Sequence, residues 1–198
     1  SIYGFLGPNG AGKSTTIRLL LDLLRPDSGE VALFGRRLDR GHREALSMVG
    51  ALVESPSLYG HLTGRQNLEV TRHLLDVPRT RIDAVLQRVG LLDSADRRTR
   101  EYSLGMRQRL AIALALLGQP RLLILDEPSN GLDPAGILDM RLLLRQLRAQ
   151  RHVTSASLGL PLGESSRAML GEGAPWFEAW LEHPSSDDPF WTKVNLRD

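Results

Sequence analysis

The sequence predicts an α/β fold with a largely parallel sheet, because segments typical of strands alternate along the chain with segments typical of helices. A glycine-rich turn, residues 7–15, follows an apolar stretch near the start of the chain and precedes an apolar segment of helical length, 16–24. Further on, four apolar residues, 122–125, lead into two adjacent carboxylates, Asp126 and Glu127. Ligands of such sheets bind beyond the carboxyl ends of the strands, so both turns are expected at a functional edge.

The glycine-rich turn has the form G-x-x-x-x-G-K-[ST], the pattern of a phosphate-binding loop. Its glycines allow close approach of the backbone, and N–H groups at the helix N-terminus favour an anion. Lys13 supplies a point charge for the β- and γ-phosphates of a nucleotide, and the Ser14 hydroxyl is suited to ligate Mg²⁺. The structural alternative is a glycine-rich turn that binds nothing. The predicted nucleotide-binding residues are Gly7, Pro8, Asn9, Gly10, Ala11, Gly12, Lys13, Ser14 and Thr15.

The remaining elements follow from periodicity and turn residues. Thr63 is placed to cap a helix that begins at Gly64. A charged stretch, 93–100, is expected to be exposed. The predicted strands are a short buried 2–6 that leads into the glycine-rich turn, 30–34, 48–53 and a fully buried 121–128. The predicted helices are 64–75, 79–90 (with Ile82, Val85, Leu86 and Val89 on one face), 103–117 and 135–150, with a short helix within 36–46.

The two carboxylates after residue 125 suit different steps of phosphoryl chemistry. Asp126 is expected to hold Mg²⁺, through water, beside Ser14. Glu127 lies one residue further and is suited to polarise an attacking water as a general base. The alternative is a pair of surface acids at a strand end.

The order of motifs resembles the ATP-binding subunits of ABC transporters. The segment Tyr102-Ser103-Leu104-Gly105-Met106 is similar to the family signature Leu-Ser-Gly-Gly-Gln, with Ser103 and Gly105 kept and Leu104 and Met106 in place of the first glycine and the glutamine. The loop 129–133 resembles the dimer-contact loop of the family. The resemblance covers about residues 1–151.

This resemblance implies a P-loop NTPase (RecA-like) fold, in which a parallel sheet core carries an inserted α-helical subdomain. Residues 1–151 would form the ATP-binding domain, with the helical subdomain at about 63–101 docking on a membrane partner. The chain opens at Ser1 within the first predicted strand, so an N-terminal truncation is expected.

The activity implied by the resemblance is hydrolysis of ATP with Mg²⁺, coupled to export through a separate integral membrane permease. Lys13 and Glu127 would be the catalytic residues. Two ATP-binding subunits would meet head to tail, with Ser103 and Gly105 of one chain closing on the γ-phosphate held by Lys13 of the other. A lone domain should therefore turn over poorly.

One position of the switch loop departs from the common pattern of the family. Glu54 stands where the family normally has glutamine, and residues 53–59 are similar to the acidic version in exporters of the bacitracin- and lantibiotic-resistance type. Glu54 would meet the nucleotide, Mg²⁺ and the attacking water as a charged ligand. Alternatively, it is only a solvated acid at a strand end.

Composition bounds the partners and the location. The chain has no cysteine, which fits the cytoplasm, and its formal net charge is only +2 without a long block of like charge, so no nucleic-acid partner is expected. The longest apolar run, 110–117, falls far short of the ~20 residues that span a bilayer. We therefore expect a cytoplasmic protein, peripheral on the inner face of the cell membrane.

Residues 152–198 depart from the family and stay unassigned. The family expects a strand ending in a histidine after the 135–150 helix, but His152 precedes the place where that strand should begin and is expected at the surface. The stretch 173–191 holds all three tryptophans and weakly resembles a non-catalytic part of α/β-hydrolases of the cocaine-esterase and X-prolyl-peptidase type. A junction near 152–160 and a lineage-specific tail both explain this change.

Three other functions are compatible with parts of the pattern. The first is a nucleotide-binding module that binds ATP without turnover, for want of the switch histidine and of an aromatic residue that stacks on adenine. The second is a soluble ABC-type ATPase acting on ribosomes or DNA, which the absence of a basic patch disfavours. The third is a hydrolase fragment, which the lack of a G-x-S-x-G nucleophile elbow disfavours.

Overall fold

The computed structural model describes residues 12–39, 43–53 and 57–149 of the 198-residue chain. The chain divides into two units, 1–152 and 153–198, and all of the described residues belong to the first. The boundary between an ATP-binding domain and a separate tail near residue 151 stays a prediction.

Helices dominate the described part of the chain, with two short two-stranded sheets between them. The helices are α1 (Lys13–Leu20), α2 (Gly64–Leu75), α3 (Thr80–Arg88), α4 (Leu104–Leu116) and α5 (Pro134–Ala149), the strands are β1 (Ala32–Leu33), β2 (Arg36–Arg37), β3 (Val49–Leu52) and β4 (Leu122–Leu125), and short 3₁₀ turns lie at Glu44–Met48, Leu92–Ser94 and Thr99–Glu101. None of the described helices combines the length and the apolar character needed to cross a membrane.

The parallel pair β3–β4 is the part of the predicted sheet that the structure describes. Val49 pairs with Leu122 and Leu52 pairs with Leu125, so the two strands end side by side. The prediction of a fully buried strand here is wrong, because the β4 side chains are only half-buried. Among the described residues β4 is hydrogen-bonded to β3 alone.

One glycine sets how closely this sheet packs on α4. Gly50 is buried, and a methyl group added to it would overlap the carbonyl oxygen of Ala115 and lie 2.9 Å from Cγ of Pro120. Any side chain at position 50 would therefore push the sheet away from α4.

The helical part begins as the sequence predicted. Thr63 and Gln66 form a capping box at the start of α2: the Gln66 N–H donates to Thr63 Oγ1 at 3.1 Å, and the Thr63 N–H donates to Gln66 Oε1 at 2.9 Å. The predicted apolar face of α3 is buried. The hydrophobic core of this part and of α5 includes Leu68, Ile82, Val85, Leu86, Val89, Leu110, Ile112, Leu117, Met140, Leu143 and Leu147.

Two element predictions need correction near the start of the chain. The first helix ends at Leu20 rather than near residue 24, because Asp22 adopts a left-handed φ of 55° and Leu24 is exposed. The predicted strand 30–34 is present but shorter, since β1 covers Ala32–Leu33, and it forms an antiparallel hairpin with β2. Phe34 and Gly35 make the turn of this hairpin with φ values of 54° and 76°.

The charged stretch 93–100 is exposed only in part. Its charged side chains face solvent, but Ala95 and Thr99 are buried. In a short segment that mixes charged and small residues, the small side chains can pack on the core while the charged ones face solvent. The number of charges alone does not reveal this.

Candidate functional site

The start of α1 carries the described part of the predicted phosphate loop. Gly12 has a φ of 84°, a left-handed conformation that favours glycine, and no heavy atom of the described residues lies within 4 Å of the place where a Cβ would be. Lys13 and Ser14 are the first two residues of the helix. The backbone N–H and the hydroxyl of Thr16 both donate to the Gly12 carbonyl, at 2.8 and 3.0 Å, which fixes this first turn.

This geometry suits an anion. The first N–H groups of a helix lack partners within the helix, and Gly12 has no side chain to cap them. Thr15 is exposed, whereas Lys13 and Ser14 are half-buried. Gly7, Pro8, Asn9, Gly10 and Ala11 lie outside the described residues, so the cradle that they would complete stays a prediction.

The end of β4 brings the predicted metal residue to the end of β3. The Asp126 N–H donates to the Leu52 carbonyl at 2.8 Å, one step beyond the last paired residues of the two strands. Asp126 is half-buried. Glu54, the predicted switch residue, follows two positions after Leu52 in the sequence but lies outside the described residues, as do His152 and the tail.

Glu127 adopts a conformation that is uncommon for a residue with a side chain. Its φ is 45°, in the left-handed region, and the residue is exposed at the point where the chain leaves β4. A non-glycine residue in this region costs about 1–2 kcal/mol. Such local strain is frequent at functional sites, because the surrounding structure holds a side chain in one orientation.

The two predicted metal residues carry the oxygen ligands that Mg²⁺ prefers. A Ser14 hydroxyl and an Asp126 carboxylate are hard oxygen donors, and Mg²⁺ usually binds one or two protein groups and completes its shell with water and phosphate oxygens. No cluster of three or more histidine, aspartate or glutamate side chains forms among residues 12–39, 43–53 and 57–149.

The predicted signature residues open α4. Ser103 is the N-cap, and its Oγ accepts a hydrogen bond from the Met106 N–H at 3.2 Å. Ser103 and Leu104 are exposed and Gly105 is half-buried. The hydroxyl and the helix N-terminus therefore lie at the surface, where they can reach a second molecule.

The loop 129–133, predicted as a dimer-contact loop, packs against this first turn of α4. A Cβ at Gly131 would lie 3.2 Å from Leu104 Cδ2, and a Cβ at Gly105 would lie 3.8 Å from Leu132 Cδ2. Asp133 caps α5, because its Oδ1 accepts from the Gly136 N–H at 3.0 Å. The structure thus brings Ser103 and Gly105 together with the loop that follows Glu127.

Sequence reasoning missed one buried polar cluster, which fixes the loop after the switch segment. Asn67 is buried; its Oδ1 accepts from the Tyr59 N–H at 2.9 Å, and its Nδ2 donates to the carbonyls of Tyr59 and Thr63 at 3.2 and 2.9 Å. Thr99 Oγ1 donates to the same Tyr59 carbonyl at 2.9 Å. The sequence shows only that Asn67 follows the helix cap Thr63 by four residues, which does not distinguish it from an ordinary polar helix residue.

Four shifted pKa values mark where charge is constrained around the helical part. Hydrogen bonding to Arg72 lowers the pKa of Glu69. Hydrogen bonding to Asp83 raises the pKa of Arg65. Burial lowers the pKa of Arg81, whose guanidinium donates to the carbonyls of Leu116 and Leu117 at 3.4 Å. Burial raises the pKa of Tyr102. These groups stabilise the scaffold that positions α4, and none of them belongs to the predicted catalytic set.

A phosphate-loop helix and a parallel strand pair that ends in two carboxylates define a nucleotide-binding domain of the P-loop NTPase class. Residues 1–130 match the family described as ABC transporter. The chain belongs to that family.

Curated relatives and a solved structure support the same assignment. The chain is 49% identical over 154 residues to the bacitracin transport ATP-binding protein BcrA of Bacillus licheniformis, covering 77% of this chain and 50% of that protein. It is 40% identical over 149 residues to the lantibiotic transport ATP-binding protein SrtF of Streptococcus pyogenes, covering 75% of this chain and 64% of that protein.

The solved structure of cbiO1 from Clostridium perfringens, described as part of the ABC transporter complex cbiONQ, has a TM-score of 0.65 and 31% identity and covers 73% of this chain and 61% of that one. The chain spans about half the length of the first curated relatives that it matches.

Proposed function

We propose that the chain is the ATP-binding and ATP-hydrolysing subunit of an ABC exporter, with ATP and Mg²⁺ as its ligands. The observation that carries this proposal is the hydrogen bond from Asp126 to Leu52, which sets the acidic pair at the edge where two parallel strands end. The names of the relatives support transport as the coupled process, with bacitracin-like or lantibiotic compounds as the favoured cargo.

The proposed domain covers residues 1–151, with the helical subdomain at about 63–101. Residues 7–15 cradle the phosphates, Ser14 and Asp126 hold Mg²⁺, and Glu54 faces the metal and the attacking water. Lys13 and Glu127 are the catalytic residues. Ser103 and Gly105 act on the nucleotide of a second chain.

In the proposed reaction, water attacks the γ-phosphorus of ATP, the bond to the β–γ bridging oxygen breaks, and ADP leaves. Glu127 accepts the proton of the attacking water. Lys13 offsets the negative charge on the β- and γ-phosphates. Bound Mg²⁺ would supply further charge neutralisation on the phosphate oxygens.

The exposed start of α4 supports a composite site between two chains. Ser103 and the N-terminus of α4 present donors at the surface, and helix N-termini favour phosphate. We therefore propose a head-to-tail pair in which the Ser103 end of one chain closes the nucleotide site of the other.

We also propose that the chain works at the inner face of the cell membrane, docked on a separate permease. The exposed side chains of Val70 and Leu74 lie one turn apart on α2, and Leu74 is 81% exposed. Apolar side chains on one face of a helix are suited to contact a partner helix. The solved relative is described as part of a transporter complex, which supports such an assembly.

The test of the proposed function is Mg-ATP hydrolysis measured against protein concentration. We expect a rate that rises faster than linearly and is absent in Lys13→Ala, which should also lose nucleotide binding. Glu127→Gln should bind ATP as the wild type does but lose about a hundredfold in turnover. Glu44→Gln, an exposed glutamate on a 3₁₀ turn, is the matched control and should leave both properties unchanged.

Equal ATP binding by the wild type and Lys13→Ala would overturn the phosphate assignment. Measurable binding with no turnover in the wild type would select the second candidate, a nucleotide-binding module. That candidate has its own supporting observation, since the sequence lacks the expected strand ending in histidine after α5.

A further inference from the structure

Two reciprocal leucine–glycine contacts join the first turn of α4 to the loop 129–133. Leu104 Cδ2 lies 3.2 Å from the place that a Cβ of residue 131 would take, and Leu132 Cδ2 lies 3.8 Å from the corresponding place at Gly105. A leucine of each segment thus packs against a glycine of the other segment. We call this pair of contacts the leucine–glycine interlock.

The interlock leaves little freedom between the two segments. Gly131 has a φ of 72°, so a side chain there is disfavoured by the backbone and is also met by Leu104. Leu132 packs against the hydrophobic core, and this contact anchors the loop. The position of the loop is therefore tied to that of the start of α4.

The same loop is tied to Glu127 by one backbone hydrogen bond and is closed by a second within the loop. The Asn130 N–H donates to the Glu127 carbonyl at 3.0 Å, and the Leu132 N–H donates to the Ser129 carbonyl at 3.2 Å. A continuous set of contacts thus runs from Leu104 through Gly131 and Asn130 to Glu127.

We propose that the leucine–glycine interlock is a positioning device that sets Glu127 according to the position of the α4 N-terminus, with Leu104 as its positioning residue. This inference rests on the proposed function for the role of Glu127. When Ser103 closes on the nucleotide of a second chain, the interlock carries that displacement to the Glu127 of its own chain. One chain then activates water at its own site only when its signature end is engaged.

The experiment compares Leu104→Ala with the wild-type 198-residue chain in three measurements: ATP affinity, kcat, and backbone hydrogen exchange. We expect ATP affinity to change less than about twofold, while kcat falls about tenfold or more, since a small misplacement of a catalytic group has effects of this size. Exchange of the Asn130 and Leu132 amides should accelerate about tenfold, because the loop loses its contact with α4. Exchange in α3 should stay as it is.

Leu138→Ala is the matched control, because Leu138 lies on α5 and is 58% exposed. It should leave all three measurements unchanged. Leu104→Val is a milder second variant that removes the Cδ atoms which face Gly131, and it should shift kcat and exchange in the same direction by a smaller factor. Should Leu104→Ala not fold, Leu104→Val decides alone.

Unchanged kcat and unchanged loop exchange in both Leu104 variants would overturn the interlock. Equal losses of ATP affinity and kcat would overturn it as well, because they would indicate general damage rather than misplacement of Glu127. If the wild type binds ATP without turnover, the proposed function fails, and the Asn130 exchange still decides whether Leu104 holds the segment bonded to Glu127.

Discussion

Gly50 lies against the backbone carbonyl of Ala115 so closely that a methyl group would overlap the carbonyl oxygen. We expect Gly50→Ala to lower the free energy of unfolding by about 3 kcal/mol, since overpacking of a well-packed contact costs about 1–3 kcal/mol or more. Chemical denaturation measures the change. Gly60→Ala is the matched control, because its added methyl would meet only Arg100 Cβ at the ordinary distance of 3.7 Å. Similar stability of the Gly50 and Gly60 variants would show that β3 can move away from α4 freely.

The buried amide of Asn67 holds the loop around Tyr59. Asn67→Leu keeps the volume but leaves the Tyr59 N–H without its partner, so we expect a loss of about 2–3 kcal/mol in the free energy of unfolding. Asn67→Asp keeps an acceptor for that N–H and should lose less. Gln87→Leu, at an exposed position of α3, should have little effect. A fully stable Asn67→Leu variant would mean that the hydrogen bonds to Tyr59 are not needed.

Tyr102 should make the protein sensitive to alkaline pH. Its hydroxyl donates to the Ser94 carbonyl at 2.6 Å, and burial raises its pKa in the folded state. The unfolded chain therefore releases this proton at lower pH than the folded one, so the contribution of Tyr102 to stability is complete below a pH of about 10 and declines above it. Denaturation at pH 8 and at higher pH measures the decline.

Tyr102→Phe provides the comparison. It should be less stable than the wild type at pH 8, where the hydrogen bond to Ser94 is lost, by about 1 kcal/mol. Its stability should fall less steeply above a pH of about 10, because it lacks the titrating hydroxyl. Parallel pH dependence of the two proteins would assign the alkaline loss to other groups.

Ser103 has two separable roles, a helix cap and a proposed contact to phosphate. Ser103→Ala should lose about 1 kcal/mol of stability and also lose turnover. Ser103→Asp keeps an acceptor for the Met106 N–H and places a favourable negative charge at the helix N-terminus, so its stability should match the wild type. Its turnover should still be lost, because the carboxylate repels the γ-phosphate of the ATP that the second chain binds.

Thr63→Ala is the control for this pair. It removes the cap of α2 and should cost a similar amount of stability without loss of ATP hydrolysis. If turnover in the three variants changes in proportion to their stability and does not depend on the residue at position 103, the phosphate role of Ser103 is contradicted.

Local signals in the sequence predicted the helical part well. The Thr63 cap and the buried face of α3 depend on spacing within one helix, which a sequence displays directly. The strands β3 and β4 were also predicted, since apolar runs bounded by turns indicate strands of a parallel sheet, and the two strands do pair in parallel. The hairpin was missed because its second arm, β2, consists of Arg36 and Arg37, which carry none of the β-branched or aromatic residues that indicate a strand.

The contacts that position the site were not accessible in the same way. The interlock joins Leu104 to Gly131 across 27 positions of sequence, and nothing in the local pattern of either segment indicates the other. Likewise, Asn67 has the appearance of an ordinary polar helix residue until its partners at Tyr59 are known. Long-range packing decides such contacts, and a single sequence carries no separate signal for them.

The two ends of α4 are held by different elements, so this helix connects them as a rigid body. Ser103 and the interlock fix its beginning, while Arg81 and the Gly50 contact fix its end. Its 13 residues span ~20 Å at 1.5 Å per residue. A displacement of the surface end would therefore reach Gly50, near the start of β3, with little bending of the helix.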